Sequence, residues 1–128
     1  MRLALAFFAL AGPAGAQSLM TPEEFEAWST GQTLDYWIDG VYWGSERHLP
    51  GRRTLDADAE GPCREGRWFP KDGMICFVYA GKAGEHCWYF RREGEVVVAD
   101  VAGDPSGFSS EAMIADQPLQ CPGPDVGV

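Results

Sequence analysis

The chain has 128 residues, with 10 basic against 19 acidic side chains, a formal net charge of −9 and 12% aromatic residues. That length suits one domain. The acidic balance repels phosphate backbones and anionic lipid headgroups, so it argues against nucleic acid and the membrane surface as partners; it suits solubility or a basic partner.

Residues 1–16, MRLALAFFALAGPAGA, have the layout of a cleaved secretory signal. Arg2 supplies the positive start, residues 3–11 form the apolar run, and Ala14-Gly15-Ala16 fits the small-x-small rule for cleavage before Gln17. A run of nine residues is too short for a bilayer core that needs roughly 20. The sequence therefore predicts an exported, periplasmic or secreted protein without a membrane anchor. Removing 16 residues from 128 leaves 112, and losing Arg2 moves the charge to −10. A chain of that size buries about two thirds of its unfolded surface, so its core is thin and cross-links help it.

The next stretch, TPEEFEAWSTG, predicts a short helix over about 22–29. Thr21 and Glu24 form a capping box, and Pro22 stands at the first helical position. Phe25 and Trp28 share a face, and Gly31 stops the helix.

From about 32 to 102, short aromatic runs alternate with glycine-bearing breaks, the pattern of antiparallel strands joined by hairpins. The runs are TLDYWI, VYWGSERHL, RRTLDADA, CREGRWF, MICFVYA, EHCWYFRR and EVVVADVA. The breaks include DG at 39–40, PKDG at 70–73 and GKAG at 81–84. RRTLDADA has the least apolar weight and suits an edge strand. The expected fold is mainly β: a small antiparallel meander or partly closed barrel, with the helix against one opening. One domain over 17–118 and an irregular tail over 119–128 complete the plan.

Cys63, Cys76, Cys87 and Cys121 are an even set in an exported chain, which points to two disulfides. No C-x-x-C spacing supports a zinc knuckle or a thioredoxin-type redox pair, so no metal is expected. A hairpin turning at GKAG places Cys76 and Cys87 on one face, opposite or one step apart. Cys63 and Cys76 fall two steps out of register, too far for a disulfide. Cys76–Cys87 is thus favoured, and Cys63–Cys121 follows by elimination.

Strand parity sets Ile75, Phe77, Tyr79, Trp88 and Phe90 on one face of that hairpin, and Met74, Cys76, Val78, Cys87 and Tyr89 on the other. Trp37, Trp43, Phe77, Tyr79, Trp88 and Phe90 are the candidate ligand-contacting aromatics, since such walls line small-molecule and glycan pockets. They serve equally as bulky filler for a thin core. Glu46 and His48 lie on one strand face and could form an acid–base pair, although alternating charge on an exposed strand gives the same text. His86 suits a solvated turn. No serine occupies a nucleophile elbow, and GDPSG at 103–107 is a turn with no phosphate-loop context. No catalytic residue and no cofactor is nominated.

The order of features is itself informative: a helix ending in STGQT, an aromatic strand with DG, then GRW, ICF, CWYF and REGE. Over residues 19–108 this resembles a group of small exported alphaproteobacterial proteins classed as a domain of unknown function. The resemblance implies a periplasmic or secreted β-rich domain and carries no activity to transfer. The expected role is a non-catalytic module binding a small hydrophobic or glycan ligand. The alternative is a protein-binding module, such as an inhibitor of a basic cell-envelope enzyme.

Overall fold

A computed structural model describes residues 19–102 and 107–121. The expected signal, the GDPS part of the turn at 103–107 and the last seven residues of the tail lie outside the described residues. Helix α1 (Pro22–Ser29) precedes eight strands: β1 (Thr33–Ile38), β2 (Val41–Leu49), β3 (Arg53–Asp58), β4 (Arg64–Lys71), β5 (Met74–Tyr79), β6 (His86–Glu93), β7 (Val96–Val101) and β8 (Ser109–Ile114). Each strand pairs antiparallel with the next, and β8 returns to β1, so the sheet is a closed barrel. No described helix is long and apolar enough to cross a membrane.

The turns follow from local chemistry. Asp39-Gly40 and Asp72-Gly73 are two-residue loops with positive φ at both positions, 49° and 77°, then 51° and 77°. That is the twist-matched hairpin turn which Asp-Gly favours. A register shift beside Tyr36, which pairs with Gly44 while Trp37 pairs with Tyr42, leaves Trp43 as the bulged residue of β2.

Two features depart from the sequence reading. RRTLDADA is no edge: β3 pairs with β2 on one side and β4 on the other, because closure removes edges altogether. An eighth strand, SSEAMI, lies beyond the expected limit near 102. Its inward residues are small, since Ser110 stands opposite Ala99, and Ala112 stands between Val97 and Tyr36. Small residues carry little strand propensity, so periodicity alone does not mark it.

Helix α1 closes one end of the barrel. The capping box is formed: the Glu24 amide donates to Thr21 Oγ1 at 3.1 Å, and the Thr21 amide donates to Glu24 Oε2 at 3.0 Å. Phe25 is fully buried, with its ring 4.5 Å from Phe90, 5.2 Å from Trp68 and 5.6 Å from His48 by centroids. Around that plug lies the apolar core of Ile75, Phe77, Val97, Ala99 and Ala112. The Met20 amide donates to the Phe90 carbonyl at 2.7 Å, and Arg52 pairs with Glu26 at 3.0 Å, fixing the helix from both sides. The Arg52 guanidinium also lies 4.7 Å from the Trp68 ring centroid.

Both disulfides are present, as Cys76–Cys87 and Cys63–Cys121. The first joins direct cross-strand partners of β5 and β6 on the outer face. The second ties the segment after β8 to the β3–β4 connection, and the Leu119 amide donates to Thr33 Oγ1 at 3.0 Å along the way.

Candidate functional site

Strand period and barrel closure together divide the interior into two halves. The registers place Tyr36 of β1, Glu46 and His48 of β2, Thr54 and Asp56 of β3, and Tyr79 of β5 on the inward side. Opposite them stand Phe77, Trp88, Phe90, Ala99 and Ala112. The barrel thus has a polar wall and an apolar wall.

Glu46 and His48 are each only 1% exposed, so the exposed-strand expectation for this pair is corrected. Two residues apart on β2, they share its inner face, and closure turns that face into an interior. The Glu46 carboxylate is held by three neighbours. Tyr79 donates its hydroxyl to Oε2 at 2.9 Å, Tyr36 donates to Oε1 at 3.4 Å, and His48 Nε2 lies 3.0 Å from Oε1. The His48 contact has ion-pair distance without the alignment of a hydrogen bond, and Nδ1 has no hydrogen-bond partner among the described residues. Ser45, on the outer face, is bonded to Asp35 and Tyr42 and points away from His48.

The tyrosines respond to this setting. Burial pushes both hydroxyl pKa values well above the usual tyrosine range, and the Glu46 charge pushes them the same way. They are permanent donors to Glu46. Asp56 is the cross-strand partner of Glu46 and is pushed up to about 6, chiefly by desolvation and then by the Glu46 charge. Arg64 opposes that shift. Its Nε donates to Asp56 at 2.7 Å and its Nη2 to Asp58 at 2.9 Å, and its guanidinium lies 5.6 Å from the Tyr79 ring centroid.

A cavity of about 300 Å³ opens at the end away from α1. Phe77, Tyr79, Trp88 and Phe90 form its depth together with Tyr36, and Trp43, Phe108 and Lys82 stand at its mouth. Asp56, Asp58 and Ser110 are its polar lining. Glu46 and His48 do not line it; the two tyrosines stand between.

Five of the aromatics singled out in the sequence meet at this cavity, namely Trp43, Phe77, Tyr79, Trp88 and Phe90. Trp37 does not. It is the outward neighbour of Tyr36 and lines a separate groove with Arg91 and Glu111. His86 is a correction to the solvated-turn expectation: it begins β6, faces Phe77, and its ring centroid lies 5.9 Å from that of Tyr79. Sequence reasoning missed Tyr36 and Asp56. Their signal is strand parity alone: Tyr36 is in phase with Leu34, and Asp56 with Thr54.

Cys76, Cys87 and Glu85 bring potential metal ligands together, but the two sulfurs are bonded to each other and offer no thiolate.

No protein-family model matches the chain, and no solved structure matches it.

Proposed function

We propose that this protein is a non-catalytic binding module that encloses a small, largely apolar molecule in the open end of its barrel. The observation that carries this reading is the cavity of about 300 Å³, with aromatic rings from half of its lining residues and two carboxylates, one serine and one lysine among its polar groups. That combination is the usual make-up of small-ligand sites, and the volume is at their lower limit. Of the two ligand classes expected from sequence, the size favours a compact apolar body over an extended glycan.

The position of Glu46 supports binding over turnover. Its carboxylate is screened from the cavity by Tyr36 and Tyr79, so it orients the wall and touches no bound molecule. The disulfides suit an oxidising compartment, in line with export to the periplasm or beyond. A mature N-terminus at Gln17, read by mass spectrometry of the exported protein, tests that part.

Binding is tested with the neutral fluorophore N-phenyl-1-naphthylamine. Saturable one-to-one binding, abolished in Ser110→Phe, which fills the cavity, is the expected result. Absence of saturable binding overturns the reading, as does equal binding by the filled variant.

A second reading, a module that docks on a basic protein, draws on the exposed lip of Val41, Tyr42 and Trp43 beside the mouth. Such docking should weaken steeply as salt rises, whereas cavity binding should not.

A further inference from the structure

The charge that the strands bring to the cavity lining is acidic, with Arg64 bridging its two carboxylates from behind the lining. Of the charged side chains that line the cavity, the two carried on its strands, Asp56 and Asp58, are carboxylates. Tyr36 and Tyr79 direct their hydroxyl hydrogens at Glu46, so they present ring faces and oxygen lone pairs to a ligand. Behind them lies the Glu46 carboxylate itself. Among the described residues, the one lining cation is Lys82, on the β5–β6 turn at the mouth.

Lys82 shows what this wall attracts. Its ammonium lies 5.7 Å from the Tyr79 ring centroid, and it makes no salt bridge among the described residues. Arg64 is drawn to the same ring, at 5.6 Å. Cations are favoured over an electron-rich aromatic face, the more so where water is displaced. Burial, and after it the Glu46 charge, push the Asp56 carboxyl up to about 6 against the pull of Arg64.

We propose that the ligand of this cavity is a small organic cation, an alkyl- or arylalkyl-ammonium. Its charged head lies between Tyr36, Tyr79 and Asp56, and its apolar body among Phe77, Trp88 and Phe90. The proposal rests on the reading of the cavity as a binding site and adds the chemistry of its occupant. A ligand carboxylate in the same place would face Asp56 and Glu46, like charge against like. A neutral alcohol would fit the space and gain nothing from the charge.

Three probes of one shape separate these cases: 2-phenylethylammonium, 2-phenylethanol and 3-phenylpropanoate, titrated at neutral pH and read by tryptophan fluorescence. The ammonium is expected to bind about tenfold more tightly than the alcohol, and the carboxylate most weakly. Asp56→Asn should bring the ammonium down to the level of the alcohol. Lys82→Gln, which withdraws the chain's own cation from Tyr79, should strengthen the ammonium a few-fold and keeps the test decisive if the Asp56 variant does not fold. Equal binding of ammonium and alcohol overturns the cation assignment while leaving the cavity as a binding site. Tighter binding of the carboxylate, lost in Lys82→Gln, also overturns it, in favour of an anion. If none of the three binds and N-phenyl-1-naphthylamine does not bind either, both the cavity reading and the cation assignment fall.

Discussion

Tyr79 reaches across the barrel interior to Glu46, donating its hydroxyl to Oε2 at 2.9 Å over a separation of 33 residues. This bond joins β5 to β2, which are not neighbours in the sheet. It fixes one aromatic wall of the cavity against the polar half of the core, and Tyr36 does the same from β1.

Glu46→Ala is therefore expected to be strongly destabilising. It leaves the hydroxyls of Tyr36 and Tyr79 without their shared acceptor, and stranding buried polar groups costs about 1–3 kcal/mol for each. Tyr79→Phe alone should cost about 1–2 kcal/mol. Urea denaturation of the single and double variants gives a coupling energy, and strictly additive losses would mean that the bond contributes nothing.

Asp56 sets a pH dependence. Folded, it keeps its proton up to about pH 6, against a usual value of 3.8. Between those values the folded state binds more protons than the unfolded one, so stability falls as pH rises through the window and levels off above it. The expected loss from this group is on the order of 2 kcal/mol, after allowing for partial solvent screening beside Arg64. Denaturation curves at intervals from pH 4 to pH 7 should show a component of the slope that Asp56→Asn lacks; identical slopes in both proteins would assign the effect elsewhere.

Phe25 is the plug of the closed end, and truncating it opens a void among Trp68, Phe77 and Phe90. Phe25→Ala should cost about 3–5 kcal/mol. Amide exchange at Met20, whose bond to Phe90 anchors the helix approach, should accelerate by more than global destabilisation explains. Unchanged protection there would show that the helix stays docked without its aromatic.

Gly66 of β4 stands between its cross-strand partners Thr54 of β3 and Tyr79 of β5. A methyl group at that position would lie 2.6 Å from Thr54 Oγ1 and 2.7 Å from Tyr79 Cδ1, inside contact distance for both. Gly66→Ala is expected to cost about 1–3 kcal/mol through overpacking. Because the ring that must move lines the cavity, binding of N-phenyl-1-naphthylamine should weaken as well. A variant with wild-type stability and wild-type probe affinity would mean that Tyr79 is not confined by this contact.

The two disulfides should differ in weight. They span 58 and 11 residues, and in the chain-entropy model these loops are worth about 4 and about 3 kcal/mol respectively. Replacing Cys63 and Cys121 together by serine should lower the denaturation midpoint more than replacing Cys76 and Cys87. The reverse order would place the main effect in native packing around the hairpin. Alkylation of the denatured, unreduced protein should modify no cysteine.

Much of this architecture is written locally. The capping box at Thr21 and Glu24, the Asp-Gly turns and the parity that brings Cys76 opposite Cys87 are each decided by residues near one another in the chain. Short-range geometry suffices for them, which is why helix, hairpins and disulfide pairing were legible from the sequence. The fate of the polar residues was not. Gly44, Glu46 and His48 alternate as they would on a solvated strand, and only the return of β8 to β1 turns that face into an interior. Burial of Glu46 is tolerable because Tyr36 and Tyr79 arrive from separations of 10 and 33 residues to satisfy it. The period of a strand names its two faces, but which face becomes the inside depends on closure, a property of all eight strands at once.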